Sequence, residues 1–176
     1  VNIAQAAYSN AVTARKVAFK PFSQLITRVN NSLKATDTTI QVDQNARTIV
    51  RKLQGRRASA KITEEEKKIL EADGKEANQI SASQMSFDNR TENFNKLIML
   101  LSSVPFYNPN EDELKIETLK ALYNQLNQKN TDLIIASVQL SNSRIARNKI
   151  LYNENTGLVD ITFDSKTYIK SVFGAT

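Results

Sequence analysis

Six basic side chains, Arg47, Arg51, Lys52, Arg56, Arg57 and Lys61, lie in one stretch that contains no acidic residue. Such a cluster can bind a polyanion, because Lys and Arg displace the counterions condensed on a phosphate chain. It is the peak of a wider asymmetry. Residues 1–61 carry eleven Lys and Arg against only Asp37 and Asp43, a local net charge of +9, whereas the whole chain stands at +6. Against a nucleic-acid role, no aromatic residue is interleaved for base stacking, and no helix-turn-helix or RNA-module signature accompanies the run. Glu64, Glu65 and Glu66 follow immediately. A solvated helix end and loop, partly neutralised by these three Glu, accounts for the charges better.

A second group that could do chemistry is Glu111, Asp112, Glu113 and Glu117. Di-metal helical bundles hold their ions with Glu-x-x-His pairs on facing helices, and the chain has no His. It has no Cys either, which removes thiolate nucleophiles, disulfides and sulfur-ligated metals. Without His the commonest general base near neutral pH is gone as well. The four carboxylates are better placed to complement the positive end of a helix dipole. No glycine-rich phosphate loop, nucleophile elbow or dinucleotide fingerprint occurs. The glycosylation sequons at Asn30 and Asn89 fall inside expected helices and are read as chance. No catalytic, cofactor or metal residue is therefore assigned.

The elements that must position these residues are helices. With 4 Gly and 3 Pro in 176 residues there is too little turn chemistry for a sheet protein. A helix is expected over about 1–34, kinked at Pro21, with Phe19, Phe22, Ile26, Val29 and Leu33 on one face. A second is expected over 38–54, capped by Asp37 and ended by Gly55, with Val42, Ala46, Ile49 and Leu53 inward. Residues 55–74 read as a polar segment, thin in apolar content and expected to be mobile. A third helix, 75–104, carries the heptad Ile80, Phe87, Phe94 and Leu101.

Asn108-Pro109-Asn110-Glu111 is a strong helix-start pattern, so a long helix is expected over 109–155. One of its faces carries Leu119, Tyr123, Leu126, Leu133 and Leu140, and an adjoining one Ile134, Val138, Ile145 and Tyr152. Val159 to Phe163 alternate and are expected to be extended. Asp164 then caps a short helix, 165–173, whose Ile169, Val172 and Phe173 should dock on the bundle. Polar residues interrupt the seams at Gln84, Thr91, Asn130 and Ser137. They suit fixing helix register better than lining a ligand cavity.

Four strings, Ile49–Ser59 (IVRKLQGRRAS), Ser81–Asp88 (SASQMSFD), Asn142–Lys149 (NSRIARNK) and Tyr168–Thr176 (YIKSVFGAT), resemble a family of bacterial helical-bundle proteins of unknown function. The resemblance covers most of residues 35–176. It implies an all-α fold and further chain at one or both ends, and it supplies no activity and no site residue.

The sequence thus predicts one all-α domain, an antiparallel up-down bundle of about four long helices with a short C-terminal helix. Its expected role is non-catalytic: a structural or protein-interaction bundle with a protein partner or a second copy, and no cofactor. The alternative is polyanion or nucleic-acid binding through 47–61. The longest apolar run, Leu97 to Leu101, falls far short of the roughly 20 residues of a membrane span. Neither an initiator Met nor a signal peptide is visible, so the natural beginning is expected to be missing and any targeting segment with it; the location is left unknown, with the cytoplasm favoured.

Overall fold

A computed structural model describes residues 1–56 and 85–174, together with Thr63, Glu65, Lys68, Ile69 and Ala72. The fold is an all-α helical bundle, with no strand among the described residues. The helices whose bounds are described are α1 (Asn2–Phe19), α2 (Phe22–Lys34), α3 (Ile40–Gln54), α4 (Phe87–Ser102), α5 (Ile116–Tyr152) and α6 (Leu158–Phe173). Where the sequence predicts a single domain, the chain divides into two compact units. One is residues 16–130; the other combines residues 1–15 with 131–176.

The unit formed by 16–130 has a dense core. Phe22, Ile26, Val29 and Leu33 of α2 meet Ala46, Val50 and Leu53 of α3, and Phe94, Leu97, Ile98 and Leu101 of α4. Leu119 and Leu126, from the first half of α5, complete it and are fully buried. The connection 35–39 is short, so α2 and α3 lie antiparallel, and α3 packs on both α2 and α4. Three edge-to-face ring pairs tie the helices together: Phe19–Phe22 at 5.7 Å, Phe19–Phe87 at 4.8 Å and Phe22–Phe94 at 4.9 Å.

Local chemistry sets the helix ends. Pro21 has no N–H to donate, so α1 stops at Phe19 and α2 restarts at Phe22, with Leu25 N donating to the Pro21 carbonyl. The cap of α3 is Thr39 rather than Asp37: its Oγ1 accepts from Val42 N, while Thr38 Oγ1 donates to Asp43. Helix α3 therefore begins at Ile40, not 38. Gly55 closes it in the left-handed conformation, φ 66°, and Arg56 N donates to the Arg51 carbonyl.

Ser86 is extended and its Oγ accepts from Asn89 N, so α4 starts at Phe87; residues 75–84 of the expected helix lie outside the described residues. Most of the segment 55–74 lies outside them as well.

The expected start at Asn108-Pro109 is not used. Glu111 and Lys115 have extended backbones on either side of a single 3-10 turn, Asp112–Leu114, and α5 begins only at Ile116. A tertiary tether overrides the local signal. Tyr107 and Leu114 are both buried, and the Tyr107 hydroxyl donates to the Leu114 carbonyl at 3.0 Å.

In the unit formed by 1–15 and 131–176, Leu133, Ala136 and Leu140 of α5 are buried. Ala4, Tyr8, Ala11 and Val12 of α1 are half-buried at helical spacing. Arg144 donates to Gln5 Oε1 at 3.0 Å. Helix α5 ends at Tyr152 rather than 155. Asn155 takes a positive φ, and Gly157 N donates to the Asn153 carbonyl at 2.7 Å. A Cβ on Gly157 would sit 2.6–2.8 Å from backbone atoms of Asn153 and Leu151, so this turn admits glycine alone.

The segment 159–163 is helical, not extended, and Asp164 lies within α6 rather than capping it. Alternation over five residues needs a neighbouring strand to become a ladder, and none is present among the described residues. Helical spacing over 158–173 prevails instead.

Candidate interaction surface

Of the six basic residues, Arg47 and Arg56 are exposed and Arg51 and Lys52 half-buried, while Arg57 and Lys61 lie outside the described residues. On α3, at about 100° per residue, Arg47 and Arg51 share one side and Lys52 stands about 100° further round. The three do not converge on one face. The Glu92 carboxyl is held below the ordinary range chiefly by Lys96, whose ammonium donates to it at 2.6 Å, and to a smaller extent by the charge of Lys52.

Two of the four acidic residues are paired locally. Asp112 and Lys115 pair at 2.6 Å, which lowers the carboxyl and raises the ammonium, and Glu113 pairs with Arg28. The Arg28–Glu113 pair sits in an open groove of about 490 Å³ between α2 and the start of α5, lined also by Leu25, Leu122 and Gln125. No group of three or more Asp, Glu, His or Cys among the described residues could hold a metal. No helix among them is long and apolar enough to cross a membrane.

Two of the four polar seam residues meet. Asn130 Nδ2 donates to Thr91 Oγ1 at 3.2 Å, and that hydroxyl donates to the Phe87 carbonyl at 2.9 Å. Both side chains are buried, and Asn130 Oδ1 has no hydrogen-bond partner. Ser137 is exposed, and Gln84 lies outside the described residues. Close by, the Arg90 guanidinium covers the Phe19 and Phe22 rings at 5.2 and 5.0 Å, and partial burial lowers its proton affinity.

What stands open is apolar. Helix α6 buries none of its residues. Leu158, Ile161, Tyr168, Ile169, Val172 and Phe173 are each at least 50 % exposed. The expected docking of Ile169, Val172 and Phe173 does not occur. Yet the positions are ordered: Leu158, Ile161, Ser165, Tyr168 and Val172 follow a three-four spacing along one face, with Ile169 and Phe173 beside it. Asp160, Asp164, Lys166 and Lys170 lie off this seam, two acids toward the N-terminal half and two bases toward the C-terminal half.

In the same unit, Ile134, Val138, Ile145 and Tyr152 form a second exposed stripe on α5, on a different side from the buried Leu133, Ala136 and Leu140. Sequence reasoning found the periodicity of that stripe but had no signal for its exposure. The spacing of Leu158, Ile161, Ser165, Tyr168 and Val172 carries the α6 seam in the sequence, and the brief alternation at its start masks it.

Comparison with protein-family models, with curated proteins and with solved structures returns no match for the chain.

Proposed function

We propose that this chain is a non-catalytic helical bundle whose role is to bind a protein partner, and that the apolar faces of residues 131–173 are where it binds. One observation carries the reading: an entire amphipathic helix, α6, leaves its apolar seam in water. Isolated helices of this length are marginal in water and owe their stability to packing of the apolar face. Soluble monomers seldom leave a contiguous apolar patch above a few hundred Å² uncovered.

The polyanion reading has the basic excess of residues 1–61 behind it. The spread of Arg47, Arg51 and Lys52 around α3 weakens it, since phosphate contacts along a backbone need charges on one side.

The two readings separate in a capture experiment from native extract at low and at high salt. Capture through an apolar seam survives high salt and is lost in an Ile161→Asp, Val172→Asp variant. Capture through phosphate contacts falls steeply with salt and ignores that variant. Retention that the double substitution leaves unchanged at high salt would overturn the proposal.

A further inference from the structure

Resting on the reading that the α6 face takes a protein partner, we infer that the partner is a second copy of this chain, seated α6 against α6. The first ground is area. Leu158, Ile161, Tyr168, Ile169, Val172 and Phe173 range from 50 % to 80 % exposed, and together present roughly 600–700 Å² of apolar surface at ordinary side-chain areas. A standard interface buries about 800 Å² on each partner, of which a homodimer makes about 65 % apolar, or about 520 Å². The seam together with the flanking Ile169 and Phe173, pressed on its own copy, meets that requirement without help from another element.

The second ground is charge. The chain is strongly basic, but α6 is balanced: Asp160 and Asp164 offset Lys166 and Lys170. A face evolved for a highly charged partner would carry one sign around its rim. A balanced one can meet itself without net repulsion. The order of the charges, acidic toward the N-terminus and basic toward the C-terminus, selects the antiparallel arrangement. That arrangement sets the acidic end of one helix beside the basic end of the other and opposes the two helix dipoles. Ser165, small and midway between Leu158 and Val172, falls where two such helices cross and lets their backbones approach. A two-fold axis there makes the contact isologous and closed, so association stops at the dimer.

The test is sedimentation equilibrium of the intact chain from about 1 to about 300 µM, the range in which a modest interface dissociates. The expected mass rises from 19.8 kDa toward twice that value and no further. Ile161→Asp with Val172→Asp should weaken the dimer by at least about a hundredfold, since two apolar residues of the seam, one on each side of the crossing, are replaced by charges. Aspartate can also fray a helix, so Ile161→Ala with Val172→Ala, which favours helix, must weaken it in the same direction.

Phe163→Ser is the decisive control. Phe163 is 64 % exposed but lies on the side of α6 opposite the seam, so its removal must leave the dimer intact. A monomer at every concentration, or equal weakening by Phe163→Ser, would overturn the inference. If the chain is monomeric yet captures a protein in a manner that needs Ile161 and Val172, self-association falls and the interaction reading stands. If it is monomeric and the double variant changes no capture, both fall.

Discussion

Asn130 is a buried amide with one of its two polar atoms unpaired, and that makes Asn130→Leu a sharp test of the core. Both Asn130 and Thr91 are 4 % exposed. Their hydrogen bond, 3.2 Å from Nδ2 to Oγ1, is at the long end of the normal range and contributes about 0.5–1.5 kcal/mol net. Leaving Oδ1 desolvated and without a partner costs about 1–3 kcal/mol. Leucine removes both terms and adds buried apolar surface of similar volume. Thr91 is not orphaned by the change, because its hydroxyl still donates to the Phe87 carbonyl. The balance favours the variant by about 1–2 kcal/mol, a rise in Tm of about 2–8 °C for a chain of this size. Urea unfolding followed by circular dichroism reads it as a higher midpoint at unchanged slope. A variant less stable than wild type by more than about 1 kcal/mol would refute the reasoning, since Oδ1 would then have to be satisfied in the native state. A second assay follows the cost of the exchange. If the amide fixes helix register, the leucine variant should gain stability and lose uniqueness, visible as broadened amide resonances in the spectrum of α4 and α5.

Phe94→Ala should destabilise by about 3–5 kcal/mol, because a fully buried ring that stacks edge-on to Phe22 is lost; a thermal melt superimposing on wild type would exclude the core as described. Gly55→Ala should cost about 1–2 kcal/mol in chemical unfolding, since φ is 66° and a Cβ there meets Met85 Sδ at 2.8 Å. Burial is the main cause that raises the Tyr107 hydroxyl above its usual value, so the native state holds that proton longer than the unfolded chain. This contribution is complete below the unfolded value, near pH 10, and fades as pH rises through the folded one; the alkaline loss of stability should therefore be shallower in Tyr107→Phe. Replacing Arg47, Arg51, Lys52 and Arg56 with Gln should change stability by less than about 1 kcal/mol and leave capture at high salt untouched. A large loss of capture at low salt, with none surviving high salt, would move the polyanion reading to the front.

Where side chains repeat over several turns, the fold was legible. Phe22, Ile26, Val29 and Leu33 are the buried face of α2, and Phe94, Leu119 and Leu126 are core residues as their seven-residue spacing predicts. Gly55 ends α3 because a left-handed position after Arg51 and Lys52 has one natural occupant. The failures share a cause, which is information that is not local. Asn108-Pro109 has every mark of a helix start, but the burial of Tyr107 and its bond to Leu114 hold the chain in another path until Ile116. Five alternating residues from Val159 fit a strand and a helix equally, and the absence of a neighbouring strand among the described residues decides between them. The exposed apolar face of α6 was half visible. Spacing orders Ile169, Val172 and Phe173 on one face, and nothing in the sequence says whether the rest of the chain covers that face or leaves it free.

The most direct test of the open seam uses the complete absence of cysteine from the chain. Ser165→Cys places a single thiol at the middle of the α6 face, with Ile161 and Tyr168 a turn to either side. Its rate of maleimide labelling is then measured at about 1 and about 300 µM protein, on either side of the expected dissociation of a modest interface. An exposed seam that pairs with its own copy predicts labelling as fast as a free thiol in the dilute sample and at least tenfold slower in the concentrated one. Slow labelling at both concentrations would contradict an uncovered α6, and fast labelling at both would contradict its burial against a second copy.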